Sequence, residues 1–327
     1  MRVGLTYDLR SDYLREGYTE EETAEFDRES TVDAIEQALL QLGYTTDRIG
    51  NVKALIRRLA AGDRWDIVFN ICEGMTGIGR EAQVPAILDA YSIPYTFSDP
   101  LVLSLTLHKG MTKHVIRDHG IPTPDFQTIL TEDDLRNITL PFPLFVKPVA
   151  EGTGKGIDAR SKVTGFRELE ILCLHLLEKF PLGLIAESFL PGREFTVGIA
   201  GTGPESVALG VLEVILNRQA EAHSYTYTNK EMCEELVEYR LASGEIASRC
   251  EKVALDAWKC LQCRDAGRVD LRLDPDGNPH FLEVNPLAGL HPEHSDLPIL
   301  CNLKGIPYLR LMEMIMDSAK KRIRNEK

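Results

Sequence analysis

The chain has 327 residues, 43% of them hydrophobic and 27% charged, which excludes a disordered polymer and requires two or three packed units. Its formal net charge of −13 argues against a nucleic-acid partner, because such a surface repels phosphate backbones. No apolar run approaches the ~20 residues of a membrane-spanning helix, and seven cysteines at irregular spacing argue against a disulfide framework, so a reducing cytoplasm is expected.

In chain order, strand and helix patterns alternate over the first part of the chain. Residues 3–7 read as a strand, and 31–42 as a helix that places Val32, Ile35, Leu39 and Leu42 on one face before stopping at Gly43. Residues 44–49 read as a strand, 52–59 as a helix, 67–71 as a strand, 83–91 as a helix and 93–96 as a short strand. This order predicts a parallel sheet with helices on both faces. Between the first strand and Glu29 lies a polar, acidic stretch, read as a long loop overhanging the strand ends where ligands bind in such sheets.

A helical stretch from about 100 to 119 precedes Gly120-Ile-Pro-Thr-Pro124, a breaker cluster and expected boundary. Strands are expected at 142–146, 184–187, 194–200 and 207–211, with a helix at 166–180. A long polar segment runs from 217 to 238 and is followed by a helix at 244–261, a hairpin and a terminal helix. Cys260 and Cys263 read as half-buried helical thiols, because no second Cys pair or spaced His accompanies them. Lys320, Lys321, Arg322 and Arg324 read as a solvated helix terminus that suits the negative end of the helix dipole.

The hairpin carries the most chemistry. Arg268-Val-Asp-Leu-Arg-Leu273 and His280-Phe-Leu-Glu-Val-Asn285 both alternate, and Asp276-Gly277 between them is a strong turn signal. Centring the turn there sets Asp270 opposite Glu283 and Arg268 opposite Asn285, all on one face. Val269, Leu271, Leu273, Leu282 and Val284 then fill the other face. Opposed carboxylates destabilise a sheet unless a divalent cation lies between them, and Asp, Glu and an Asn carbonyl are hard ligands suited to Mg²⁺. The spacing alone equally accommodates a solvated face on which Arg268 and Arg272 neutralise both acids. Past the hairpin, Gly289 could present its N–H to a developing oxyanion.

Lys147 ends an apolar strand, and Gly152, Gly154 and Gly156 follow in a loop whose N–H groups could cover phosphates, although an ordinary hairpin turn fits the same residues. The loop matches neither the G-x-x-x-x-G-K-[ST] nor the G-x-G-x-x-G pattern.

Taken together, these segments resemble the ATP-grasp superfamily and, within it, the D-alanine–D-alanine ligases, over nearly the whole chain. Leu107-His-Lys-Gly-Met-Thr-Lys113 is similar to the segment carrying the family's first phosphate lysine, which falls on Lys109. Phe145-Val-Lys-Pro-Val-Ala-Glu-Gly-Thr-Gly-Lys-Gly156 resembles its second lysine and glycine-rich lid, giving Lys147, Gly152, Thr153 and Gly154. The segment from Ile185 to Val197 resembles the adenine hinge, with Glu187 and Leu190 near the base and Glu194 on the ribose. Tyr225-Thr-Tyr-Thr-Asn-Lys230 resembles a mobile loop whose lysine reaches the terminal phosphate. Gly267-Arg-Val-Asp270 and Leu282-Glu-Val-Asn285 match the catalytic arginine, Arg268, and the magnesium ligands Asp270, Glu283 and Asn285.

The resemblance implies an ATP-grasp fold: a parallel α/β unit at 1–118, a small ATP-covering unit at 119–200, and a third unit with the metal hairpin at 201–327. It implies an ATP- and Mg²⁺-dependent ligase, with Mn²⁺ as an alternative ion, that joins two amino acids through an acyl phosphate. Arg268, the Gly289 N–H and Lys230 would be its catalytic groups. Ligation of other amino acids or a hydroxy acid, and a nucleotide-binding regulatory protein without turnover, remain as rivals. The expected partners are amino-acid substrates, with a homodimer open. The chain departs from the family in the long acidic stretch 8–29, where Glu29 or Asp27 would hold the substrate amine, and in Asn285-Pro-Leu-Ala-Gly289. Ser295 would contact the acceptor carboxylate after a one-residue shift. Substrate choice is expected in the 8–29 stretch, with Glu29 favoured, and otherwise near Glu73, Glu81 and Ser295.

Overall fold

A computed structural model describes residues 1–217 and 236–325. Strands β1 (Arg2–Tyr7), β2 (Thr45–Gly50) and β3 (Ile67–Ile71) form a parallel sheet in the order β2-β1-β3, as the alternating pattern predicts. The expected strand at 93–96 is reduced to one parallel bridge, Val68 to Tyr95. Its short apolar run supplies core side chains, Tyr95 and Phe97, without extending the ladder. Helix α1 (Arg10–Arg15) interrupts the acidic stretch that the sequence presents as a plain loop, and is held by Tyr13 packing on Phe26 at 4.4 Å between ring centres. Helices α2 (Glu29–Gln41), α3 (Val52–Ala60) and α4 (Gln83–Ala90) follow. The expected long helix then breaks at His108 into α5 (Pro100–Leu107) and α6 (Lys109–Asp118). The His108 ring accepts from Met111 N at 3.2 Å and so caps the second helix.

Two antiparallel sheets complete the fold. One has the order β4-β7-β5-β6, from β4 (Phe126–Ile129), β5 (Leu144–Pro148), β6 (Lys162–Val163) and β7 (Leu184–Ser188), with α7 (Phe166–Lys179) burying Leu169, Leu172, Cys173 and Leu176 against it. The other has the order β10-β9-β8-β11-β12, from β8 (Glu194–Ala200), β9 (Val207–Leu216), β10 (Val237–Leu241), β11 (Ala266–Leu273) and β12 (Pro279–Asn285). Strand β8 lies inside the expected middle unit of 119–200, yet it pairs with β9 and β11 in this second sheet.

Helix α8 (Gly244–Cys260) buries Trp258 on one face of the five-stranded sheet, together with Val102 and Ile116 of α5 and α6. Helices α9 (Asp296–Leu303) and α10 (Tyr308–Asn325) join its other face to the parallel sheet in one shared core. Arg322, expected to be solvated, instead reaches the fully buried Asp265 at 2.7 Å and the Tyr95 carbonyl at 3.1 Å. The charge pattern of a helix end does not reveal such a buried partner. No described helix is long and apolar enough to cross a membrane.

The hairpin register is as predicted where it matters: Asp270 faces Glu283 and Arg268 faces Asn285. It is reached by a different route. Leu273 pairs with Pro279 and Leu271 with Phe281, so the turn is one residue shorter than expected, and a bulge at Leu282 restores the register. Phe281, rather than Leu282, therefore enters the core, and Leu282 is turned onto the face that carries Glu283.

Candidate active site

Two neighbouring cavities lie among the sheets and share part of their lining. The smaller, about 70 Å³, lies between the two antiparallel sheets and is lined by Lys147, Glu187, Leu190, Glu194, Gly154 and Asp270, with Phe145, Ile157, Phe189 and Leu282 as its apolar surface. The larger, about 480 Å³, is bounded by the acidic 24–31 stretch, the segment after β3, the end of β12 and the turn before α9. Lys109, Glu151 and Glu283 line both.

In the smaller cavity, Lys147 at the end of β5 lies 3.3 Å from Glu187 of β7, and Lys113 of α6 lies 3.1 Å from the same carboxylate. Lys113 also donates to Thr123 Oγ1 at 2.8 Å and to the Phe281 carbonyl at 3.2 Å, so one buried ammonium ties α6 to both antiparallel sheets. Burial pushes Lys113 down to about 8, against the opposing pull of Glu187. Burial would raise Glu187, but Lys113 and Lys147 hold it below the usual carboxylate range. The fold therefore uses Glu187 to fix two lysines, and the same residue lines the smaller cavity beside Leu190. Glu194 is paired with Arg272 at 3.3 Å.

The glycine-rich loop is anchored from outside. Thr153 adopts φ +52°, Gly154 +73° and Gly156 +71°, the left-handed conformations that make the loop compact. Gly152 N donates to Glu25 Oε1 at 2.6 Å, and Arg80 reaches Glu25 at 2.8 Å and the Ala150 carbonyl at 2.9 Å. Lys155 stands 3.0 Å from Glu151 and 3.5 Å from Glu25. Lys109 donates to the Glu151 carbonyl at 2.5 Å and lies 3.5 Å from Glu283.

At the junction of the cavities, Asp270 accepts from Thr196 Oγ1 at 2.8 Å and from Asn285 Nδ2 at 3.3 Å, and is paired with Arg268. Arg268 is also 3.7 Å from Asp296. Burial works against its charge, but Asp270, Asp296 and Glu283 more than offset that and keep it firmly protonated. Among the described residues no three His, Cys, Asp or Glu side chains are gathered for a metal. The expected set takes its third oxygen from the Asn285 amide, and two opposed carboxylates on one sheet face are the hard oxygen donors that Mg²⁺ requires.

The larger cavity brings Gly289 and Ser295 together: a Cβ on Gly289 would stand 2.8 Å from Ser295 Oγ, which accepts from His291 N at 3.0 Å. Glu29 does not join them. It lies at the start of α2 with its side chain 62% exposed, bonded to Arg48 at 3.2 Å. The helix start that recommended it turns its side chain to the outer face. Asp27, Glu25, Glu73 and Glu81 line the cavity instead. Asp8, at the end of β1, fixes this wall by accepting from Tyr13 Oη at 2.6 Å and Gly74 N at 3.0 Å.

Sequence reading missed Lys113, Arg80 and Asp296, whose signal was only a charge beside an apolar helix face. Lys230 lies outside the described residues.

Residues 115–317 match the family model described as the D-ala D-ala ligase C-terminus. The chain is 32% identical over 289 residues to a D-alanine–D-alanine ligase of Bordetella petrii, covering 87% of this chain and 85% of that one. It is also 32% identical over 288 residues to that of Aquifex aeolicus, covering 88% and 93%. Its fold is similar to the Bacillus anthracis D-alanine–D-alanine ligase complexed with ATP, with a TM-score of 0.74, 23% identity and full coverage of both chains. It is likewise similar to the VanG D-Ala:D-Ser ligase of Enterococcus faecalis, with a TM-score of 0.75, 20% identity and coverage of 97% and 99%.

Proposed function

This chain belongs to the D-alanine–D-alanine ligase family and is an ATP-dependent ligase of ATP-grasp fold acting on small molecules; from that premise we propose that it joins two amino acids through an acyl phosphate. The observation that supports this reading is the wall shared by the two cavities, where Lys109 and Glu283 line a small, partly apolar cavity on one side and an open, charged cleft on the other.

In this reading the adenine enters among Phe145, Leu190 and Leu282, and Lys109, Lys147 and the 152–154 loop hold the phosphates. Asp270, Glu283 and Asn285 would hold Mg²⁺, which when bound neutralises charge on the transferring phosphoryl group. A substrate carboxylate oxygen forms a bond to the γ-phosphorus as the bond to ADP breaks. The amine of the second amino acid then attacks the acyl carbon, loses a proton, and expels inorganic phosphate. Arg268 and the Gly289 N–H stabilise the oxyanion of that step, Ser295 contacts the acceptor carboxylate, and Lys230 reaches the terminal phosphate.

The 1–118, 119–200 and 201–327 division belongs to the same proposal, and the pairing of β8 supports moving its second boundary to before residue 194. A cytoplasmic site of action is supported by the free thiols of Cys72, Cys173, Cys250, Cys260, Cys263 and Cys301.

The test is phosphate release from ATP with a panel of paired D- and L-amino acids, read together with product mass. A condensed product in step with ADP is expected. Phosphate release that is independent of amino acids, with no new mass, would contradict the reading.

A further inference from the structure

An amine that attacks an acyl phosphate must shed a proton as its new bond forms. A positioned side chain that takes such a proton speeds the step by about 10²–10⁴-fold. Arg268 and the Gly289 N–H, set against the oxyanion, cannot receive it, since a guanidinium and an amide N–H only donate.

Arg268 has two ion-pair partners among the described residues, Asp270 and, at 3.7 Å, Asp296. Asp270 is also bonded by Thr196 and Asn285 and belongs to the proposed metal set. Asp296 does not. It is the first residue of α9, its side chain is 10% exposed, and it lines the larger cleft. Its Oδ2 is the atom near Arg268, and its Oδ1 accepts from Tyr239 Oη of β10 at 3.1 Å. The carboxylate is thus fixed from two strands, beside the proposed oxyanion donor.

Ser295 precedes it and closes on Gly289, where an added Cβ would stand 2.8 Å from Ser295 Oγ. Arg268 and Gly289 therefore flank Ser295 and Asp296 in the lining of one cleft. An acceptor whose carboxylate rests on Ser295 carries its α-amine one carbon away, which brings that nitrogen toward the adjoining Asp296.

The other charged and titratable groups of the cleft are placed or engaged elsewhere. Glu25, Glu151 and Glu283 face Arg80, Lys155 and Lys109. Asp27, Glu73 and Glu81 belong to the 24–31 stretch and the segment after β3, away from Arg268 in the ion-pair network. Arg10 and Arg28 are cations and accept no proton. His291 is held between Ser30 Oγ at 3.1 Å and Glu293 N at 3.2 Å, and His294 stacks on it at 4.4 Å between ring centres.

We infer that Asp296 is the general base of the ligation step. The nitrogen lone pair forms the bond to the acyl carbon, and the carbonyl pair moves onto the oxygen beside Arg268 and Gly289. The N–H proton passes to the Asp296 carboxylate, and its bonding pair stays on nitrogen. The oxyanion then collapses, the bond to the phosphate oxygen breaks with its pair, and Asp296 releases the proton to solvent. This rests on the acyl-phosphate reading of the cleft.

The experiment compares the wild type with Asp296→Asn, which keeps an oxygen for Tyr239, using the full chain with ATP and Mg²⁺. Each D- and L-amino acid of the panel serves as donor, either with a second amino acid or with hydroxylamine. Once bonded to carbon, the hydroxylamine nitrogen is acidic enough to lose its proton to water, so hydroxamate reports the acyl phosphate without needing the base. Asp296→Asn is expected to lower amide formation by about 10²–10⁴-fold while hydroxamate formation keeps its wild-type rate. The amide deficit is expected to narrow as pH rises, because hydroxide takes over the proton. Equal loss of amide and hydroxamate would make Asp296 a positioning residue for Arg268 and overturn the inference, as would unchanged amide formation; both leave the acyl phosphate standing. Absence of amide and hydroxamate from the wild type would sink the acyl-phosphate reading and this role with it. Should Asp296→Asn fail to fold, Asp296→Ser is judged by the same two products.

Discussion

Replacing Arg80 by Met should disable the protein by loosening its glycine-rich loop. The Arg80 side chain is 5% exposed and Glu25 is 8% exposed, so the pair is shielded from solvent. Removing one partner of such a pair costs about 3–5 kcal/mol, because the other charge stays buried. Lys155, at 3.5 Å from Glu25, compensates only in part, which places the loss near the lower end of that range. The Ala150 carbonyl also loses its donor. Since Glu25 in turn holds Gly152 N, the KM for ATP should rise by about tenfold or more, equivalent to roughly 1.4 kcal/mol.

The pH dependence gives an independent check on Arg80→Met. In the wild type, Arg80 and Lys155 overcome burial and hold Glu25 below 4.5, so its contribution is present above that value and is lost only as pH falls through the folded-state pKa. Without Arg80, burial raises Glu25 above 4.5, and the variant recovers stability as pH falls through that raised value. Urea unfolding should therefore show the largest gap between wild type and variant at about pH 7.5, narrowing toward about pH 5. Equal stabilities, or a gap that does not change with pH, would refute the reasoning.

Other substitutions separate roles within the site. Glu283→Gln should abolish ligation with an unchanged circular dichroism spectrum, and full activity in excess chelator would remove the metal from the account. Arg268→Met should lower kcat by about 10²–10³-fold with the KM for ATP little changed; the reverse pattern would make it a phosphate clamp. Gly267→Ala would drive a methyl group into the Asn285 carbonyl and to 2.8 Å from the Trp258 ring, and should cost about 1–3 kcal/mol in an unfolding titration. Glu29→Gln should leave both amino-acid KM values unchanged, because its partner is Arg48 on the outer face.

The parallel sheet was legible because strand and helix periods alternate cleanly from Val3 to Ile71. The hairpin was legible because two-residue alternation carries functional side chains to one face. Its bulge was not, since Phe281-Leu282 offers two apolar residues and only packing against Trp258 and α8 decides which is buried. Glu29 misled for a related reason. A carboxylate at a helix start reads the same whether it faces a cleft or, as here, Arg48. The anchoring of the glycine-rich loop by Glu25 and Arg80 joins residues that are 127 and 70 positions apart from their partners, beyond any local pattern. Lys113 was hidden because a lysine on a helix reads as solvated until α6 is seen to run beneath Phe281.

The measurement that bears most directly on the central claim follows the oxygen atoms. Amino acids labelled with heavy oxygen in their carboxylates are turned over with unlabelled ATP, and the released phosphate is weighed by mass spectrometry. An acyl phosphate requires one labelled oxygen to leave with each phosphate formed. Unlabelled phosphate, with the label retained wholly in the amino acids and products, would contradict activation of a carboxylate at the wall that Lys109 and Glu283 share.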